Sequence, residues 1–448
     1  MSVHKKSIHR KRNKSLGLPE LVAIALGGMV GGGIFTVLGI SVSLIGNLTP
    51  FAILIGGIIA MFAAYSYVKL GKHYKDEGAT FSFFKRTYPG SHFAASVIGW
   101  FVVFGYISTL ALYAYTFSSY AISGFAFAQN IWIRKLVALA VIAVFTLINV
   151  WSVNGMGKIE DLMVYTKLFI LLGISATLIH FGAPNFAAFT QGISSDFKST
   201  SMLTILIVAS LTFVAYEGFQ LVVNAVEEMR NPDKNMGRAI YAAIFLAILI
   251  YLVISIGAVL AIPTQDIIKN KEYALASGAG NAIGKLGSRL VILGAILATS
   301  SAISGTLFGS SRQMAVVSGD GYMPKILSRR KGNIPVTAVI TMSVISSMLI
   351  LAGGLELILE FGSITFMLVS FLMAMANFKI RKETGSSTVI TIIAMSVLFI
   401  GGVLILYYEF ADALHQMLYI VGIYILLTIG AYIFAKKREK QVQKKDWD

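Results

Sequence analysis

Gly27-Gly28-Met29-Val30-Gly31-Gly32-Gly33-Ile34-Phe35 places five glycines within seven residues, inside a stretch from Leu21 to Val68 that holds no charged side chain. Each interior glycine weakens a helix by about 1 kcal/mol relative to alanine. Small residues also let membrane helices approach closely, and that reading suits Gly27 and Gly28 as well as a break does. Three consecutive glycines go further, because they free backbone groups that lipid cannot satisfy, so the segment must face protein or line a cavity. The run therefore predicts a membrane helix broken at its centre, with Gly31, Gly32 and Gly33 as an unwound ligand-binding segment.

The surrounding composition requires the membrane. Of 448 residues 56% are hydrophobic and 13% charged, against about 25% charged in a soluble domain. The absence of cysteine excludes disulfides, thiolate metal sites, iron-sulfur clusters and a catalytic thiol. The formal charge of +16 would suggest nucleic acid as a partner of a soluble chain. In a membrane protein it reports topology. Twelve spans are expected, near 21–45, 51–68, 92–124, 136–153, 162–182, 201–226, 238–263, 290–313, 335–355, 361–378, 385–408 and 413–435. With a cytoplasmic amino terminus, 29 of the 37 basic residues fall on the inner side and seven outside, leaving Lys167 within a span. A thirteenth helix in the charge-free run from Thr87 to Ile133 would invert every later loop and destroy that asymmetry. The first apolar stretch is too long for a cleaved signal peptide. The expected location is the cell membrane, multi-pass, with both termini cytoplasmic.

No soluble domain interrupts the array. Gly278-Ala-Gly-Asn-Ala-Ile-Gly284-Lys285-Leu286 has the wrong glycine spacing for a P-loop, and Leu286 stands where a hydroxyl must hold magnesium. ATP-driven pumping is thereby disfavoured. No cofactor or metal site is expected, since the six histidines are scattered. An intramembrane enzyme would need a catalytic constellation at depth, and only Lys167 and Glu217 are placed there. An enzyme is not expected, and a gradient-driven transporter leads over a channel or sensor.

Span 6 has its own interruption at Phe213-Val214-Ala215-Tyr216-Glu217-Gly218-Phe219, where a carboxylate beside a glycine is costly unless paired, protonated or wet. Spans 1 and 6 hold the same place in two successive sets of five. Broken helices at matching positions point to a midplane substrate site in an inverted-repeat transporter.

At these residues the chain resembles the amino acid-polyamine-organocation superfamily of permeases. Gly31-Gly32-Gly33-Ile34-Phe35 is similar to its Gly-Ser-Gly-Ile-Phe motif, and Ala64-Tyr65-Ser66-Tyr67 with Leu70-Gly71 resembles the end of its span 2. Ala215-Tyr216 with Gly218-Phe219, then Glu227 and Asn231-Pro232, is similar to its span 6 motif. Ser300-Ser301-Ala302, Ser311-Arg312 and Asp320-Gly321-Tyr322-Met323-Pro324 resemble its span 8 signature. Gly237 and Glu217 depart from the family pattern. The resemblance implies an all-α integral membrane protein of twelve transmembrane helices, with the leucine-transporter-type five-plus-five inverted repeat and broken helices 1 and 6. Its parts are a basic tail over 1–17, a ten-helix core over 18–378 (halves 18–183 and 201–378), helices 11 and 12 over 379–435, and a basic tail over 436–448.

The implied activity is secondary transport of amino acids by proton symport with alternating access, the partners being an amino acid, a proton and the bilayer. Exchange of an amino acid for its amine or polyamine, and transport of basic amino acids, are the alternatives. Substrate carboxylate is expected at the backbone of Gly31, Gly32 and Gly33, and ammonium at the carbonyl end of the first half of span 6, Val214, Ala215 and Glu217. Ile34, Tyr106 and Tyr216 are candidates for selectivity. Lys167 lies six residues past Asp161, about 9 Å along a helix, so snorkelling to water is one reading. The phrase Lys167-Leu168-Phe169-Ile170-Leu171 resembles that of proton-coupled family members, in which such a lysine substitutes for sodium between spans 1 and 8. It would then meet the carbonyls of Gly27 and Val30 and the hydroxyls of Ser300 or Ser301. For Glu217 three roles stay open: sensing a cationic substrate, carrying a second proton, or pairing with Lys167 or a tyrosine.

Overall fold

The computed structural model describes residues 16–447 except Glu77, 152–155 and Asn333, without the side chains of 156–163, 282, 283 and 444–447. Residues 1–15 of the expected amino-terminal basic tail and the Lys158 side chain lie outside these. Every regular element is helical, and two isolated bridges are the sole strand-type pairing among the described residues. In chain order the helices are α1 Leu18–Met29, α2 Gly32–Ile45, α3 Thr49–Tyr74, α4 Ala79–Thr87, α5 His92–Ile122, α6 Ile131–Trp151, α7 Met156–Gly182, α8 Phe186–Ser199, α9 Met202–Thr212 and α10 Gln220–Asn224. They continue with α11 Pro232–Ala261, α12 Thr264–Lys269, α13 Ala274–Ile283, α14 Lys285–Gly319, α15 Val336–Ala352, α16 Leu355–Lys379, α17 Arg381–Thr384, α18 Thr388–Asp412 and α19 Leu414–Trp447.

Ten helical stretches are long and apolar enough to cross a bilayer, and α1 and α15 are shorter apolar helices. One of the ten, residues 32–74, is turned at Gly46–Leu48, where Gly46 takes φ +56° and Asp196 of α8 accepts both the Asn47 N–H (2.8 Å) and its side-chain amide (3.0 Å). Prolines 19, 50 and 232 sit in the first turns of α1, α3 and α11, where the missing N–H costs nothing. α5, α16 and α9 with α10 are buried over most of their length. α6, α18 and α19 turn rows of large apolar side chains outward, Leu147 and Leu426 among them at 67% and 69% exposed. An apolar surface on that scale suits hydrocarbon and not water.

The helices run past the boundaries that the nearest charges suggested. α6 begins before Arg134 and Lys135, which are 3% and 8% exposed, although both were expected in an outer loop. Arg134 remains buried because it forms an ion pair with Glu272 and donates to the Ala128 carbonyl at 2.6 Å. Similarly α16 includes Glu360 and α18 includes Glu409, 4% and 0% exposed. Lys167 and Glu217 are therefore not the only charged-type residues at depth.

Candidate functional site

The break in the first membrane stretch is two residues long. α1 ends at Met29, Val30 and Gly31 leave helical geometry, and α2 resumes at Gly32. Gly32 and Gly33 are thus helical, which corrects the expected three-residue unwound segment. A helix's first N–H groups are unpartnered in any case, so α2 can begin as soon as the chain has turned. Its glycines are required by contact. A Cβ on Gly31 would lie 2.6 Å from the Ala302 Cβ of α14, one on Gly32 3.0 Å from the Tyr113 ring, and one on Gly33 2.8 Å from the Ala215 Cα.

Turning the chain frees carbonyls, and side chains from three other helices donate to them. Lys167 of α7, fully buried, donates to Gly27 O at 2.9 Å. Tyr113 of α5 donates to Gly28 O at 3.2 Å, and Tyr251 of α11 to Met29 O at 2.7 Å. The backbone adds Gly31 N–H to Met29 O at 2.8 Å. The carbonyls of Gly27, Gly28 and Met29 thereby each have a donor within the protein.

The second break follows α9. A 3₁₀ turn spans Phe213–Tyr216, Glu217 is extended, Gly218 has φ +131°, and α10 starts at Gln220. Only glycine accommodates that φ readily. Here Tyr251 acts again, its hydroxyl lying 2.9 Å from Ala215 O. A single hydroxyl thus joins both breaks. They also touch directly, since a Cβ on Gly218 would come within 2.5 Å of the Gly28 carbonyl carbon and the Met29 nitrogen.

Glu217 is 2% exposed. One oxygen accepts from the Gln220 amide at 2.7 Å, and the Gln220 carbonyl in turn accepts from the Tyr106 hydroxyl at 3.1 Å. The other oxygen, Oε1, is buried with no hydrogen-bond partner. The described partner is therefore Gln220, with tyrosine reached only through it. Val214 O accepts the Glu217 N–H at 3.2 Å. The Tyr216 hydroxyl donates to Ile53 O of α3 at 2.8 Å and its ring meets Tyr251. Ile34 is fully buried in the first turn of α2. Ser300 and Ser301 lie buried on α14, and Ser301 Oγ has no partner, so the bond to Lys167 considered for it does not form.

Tyr251, Tyr113 and Gln220 were missed by the sequence reading. One signal was available for Tyr251. A tyrosine hydroxyl in the middle of the apolar run of span 7 must reach an acceptor, and carbonyls freed by a predicted break are the natural ones.

The sequence profile described as amino acid permease matches residues 16–430. The chain belongs to the amino acid permease family. This permease is 28% identical to the inner membrane transport protein YbaT of Escherichia coli over 96% of its own length and 98% of that protein. It is 26% identical to an uncharacterized protein of Methanocaldococcus jannaschii over 95% and 96% of the two chains. With the branched-chain amino acid permease BcaP of Bacillus subtilis it shares 24% identity over 70% and 69%. Family and helices together make the permease a multi-pass membrane protein.

Proposed function

We propose that this permease moves amino acids across the cell membrane by proton symport with alternating access. In this reading α1 with α2 forms one broken span and α15 a short one, which gives twelve spans, five-plus-five inverted repeats and cytoplasmic termini. The first turn of α2, at Gly32 and Gly33, offers unpartnered N–H groups and a positive dipole end to the substrate carboxylate. The ammonium goes to the freed carbonyls of the second break and to Glu217.

One observation carries the coupling proposal: a fully buried lysine at 2.9 Å from the carbonyl of Gly27, next to the break. In this reading the proton carried by that ammonium is the exchangeable one. Charged, Lys167 holds α1 in place; neutral, it donates more weakly and lets the break move.

The test is Lys167→Ala in reconstituted vesicles. Thermal stabilisation by the amino acid that stabilises the parent should persist, because a ligand that binds the folded state raises its stability. Accumulation driven by a proton gradient should disappear. Uptake and pH dependence equal to the parent's would refute the coupling role. The unpartnered Glu217 Oε1 supports a second reading, transport of a basic amino acid or amine, in which Glu217→Gln depresses lysine and arginine uptake selectively.

A further inference from the structure

Two buried carboxyl groups lie far along the chain from either break. Glu360 sits six residues into α16 and Glu409 three residues before the end of α18. α16, α17 and α18 form a hairpin, so these positions meet near the same rim of the bundle, and the two carboxyls are within hydrogen-bond reach of each other. Oε2 of Glu360 and both oxygens of Glu409 are buried, and no described N–H or hydroxyl donates to them. Among the described residues no basic side chain forms an ion pair with either. The nearest, Lys271, is bound to Glu356, one helical turn closer to the rim on the same face of α16.

Among the described residues the groups facing the pair are acidic or neutral apart from Lys271. Glu356 comes from α16, Tyr408 and Asp412 from α18, and His415 from the start of α19, with Lys271 from the turn between α12 and α13. α5 and α9 carry no Asp, Glu, Lys or Arg, and α3 carries them only beyond Val68. Two ionised carboxylates side by side repel each other, and one proton shared between them removes that repulsion. With one proton between them, repulsion is replaced by an O–H to carboxylate hydrogen bond, which is short and strong.

A way in exists. A cavity of about 350 Å³ opens at the rim, lined by Tyr115, Lys271, Glu272, Glu356, His415 and Gln416 among others. Glu356 thus stands between that water-accessible space and Glu360.

We propose that Glu360 and Glu409 form a proton-binding carboxyl pair, loaded from the rim cavity, that ties α18 to α16. This site is separate from Lys167 and does not depend on transport being proton-driven. The pair changes between a proton-linked and a doubly ionised form, and α18 loosens from the bundle in the second.

The test uses the purified full chain. At neutral pH the infrared spectrum should contain a protonated-carboxyl C=O band that shifts in D₂O and is lost in both Glu360→Gln and Glu409→Gln, but kept in Glu356→Gln. The thermal midpoint of the parent should fall as pH rises, while Glu409→Gln, which supplies a permanent N–H donor, should flatten that fall. Absence of the band from the parent, or its persistence in both glutamine variants, would overturn the proposal. So would a parent midpoint that rises with sodium at fixed pH and ionic strength, which would make the pair a metal-cation site. The parent measurements stand even where a variant fails to fold.

Discussion

Replacing Tyr251 with phenylalanine removes one oxygen and tests how the two breaks are held together. The hydroxyl is fully buried and sits 2.7 Å from Met29 O and 2.9 Å from Ala215 O. It has one proton, so the two carbonyls share a three-centre bond. The ring contact with Tyr216, at 5.2 Å between centroids, survives in phenylalanine, so the change isolates the hydrogen bond. Leaving a buried acceptor short of its donor costs about 1–3 kcal/mol. The cost falls on the packed state alone, because in an opened site water or substrate can reach the same carbonyls. The equilibrium between packed and separated breaks should therefore shift about 5- to 150-fold toward separation. Since the chain has no cysteine, Ser301→Cys supplies a single thiol on α14, at a side chain whose hydroxyl has no partner to lose. Maleimide labelling of that thiol should accelerate by at least about fivefold in the Tyr251→Phe background, and the thermal midpoint should drop. Labelling within about twofold of the parent and an unmoved midpoint, well below the loss expected for a buried bond, would refute the clamp.

Two other substitutions follow from the same geometry. Gly218→Ala must place a Cβ 2.5 Å from the backbone of the first break at φ +131°, so it should abolish uptake and lower the midpoint steeply; Gly402→Ala, with open space around it, should leave both near the parent's values. Arg134→Met removes the buried partner of an ion pair and leaves Glu272, 21% exposed, to water and the Tyr115 hydroxyl, which should cost about 1.5–3 kcal/mol in a thermal or denaturant titration, and the double change with Glu272→Leu should recover part of it.

How far the sequence was legible depended on the range of the interaction concerned. The glycine run at 27–33 and the carboxylate with glycine at 217–218 announced both breaks, because a helix interrupted in lipid must show in its own residues. α5 was legible as one helix, since a second in the same run would have inverted the charge distribution beyond it. Helix ends were harder to read. Using charge as a boundary put Arg134, Lys135, Glu360 and Glu409 just outside their helices, whereas a charged-type residue can stay inside wherever a distant segment supplies its partner. Glu272 does this for Arg134 from 138 residues away. For the same reason the donors to the freed carbonyls, Tyr113 and Tyr251, could not be located, although the need for such donors was implied by the break. Gly33 was read as unwound because the pattern cannot distinguish a glycine that frees the backbone from one that admits Ala215.

The packed breaks suggest how such a site can open without a large penalty. A helix interrupted in lipid would be unstable if its carbonyls stayed bare, yet here Lys167, Tyr113 and Tyr251 occupy them from α7, α5 and α11. Separation then exchanges a side-chain donor for water or a substrate ammonium, and the number of hydrogen bonds need not fall. The three donors differ in one respect. Two are neutral hydroxyls of fixed strength, whereas Lys167 is charge-assisted when protonated and about half as strong when not. On the proposed coupling, proton loss weakens one of three bonds and leaves the tyrosines in place, so it biases the break without unfolding it. Tyr251, whose hydroxyl reaches both breaks, then sets how far α1 and the second break move together.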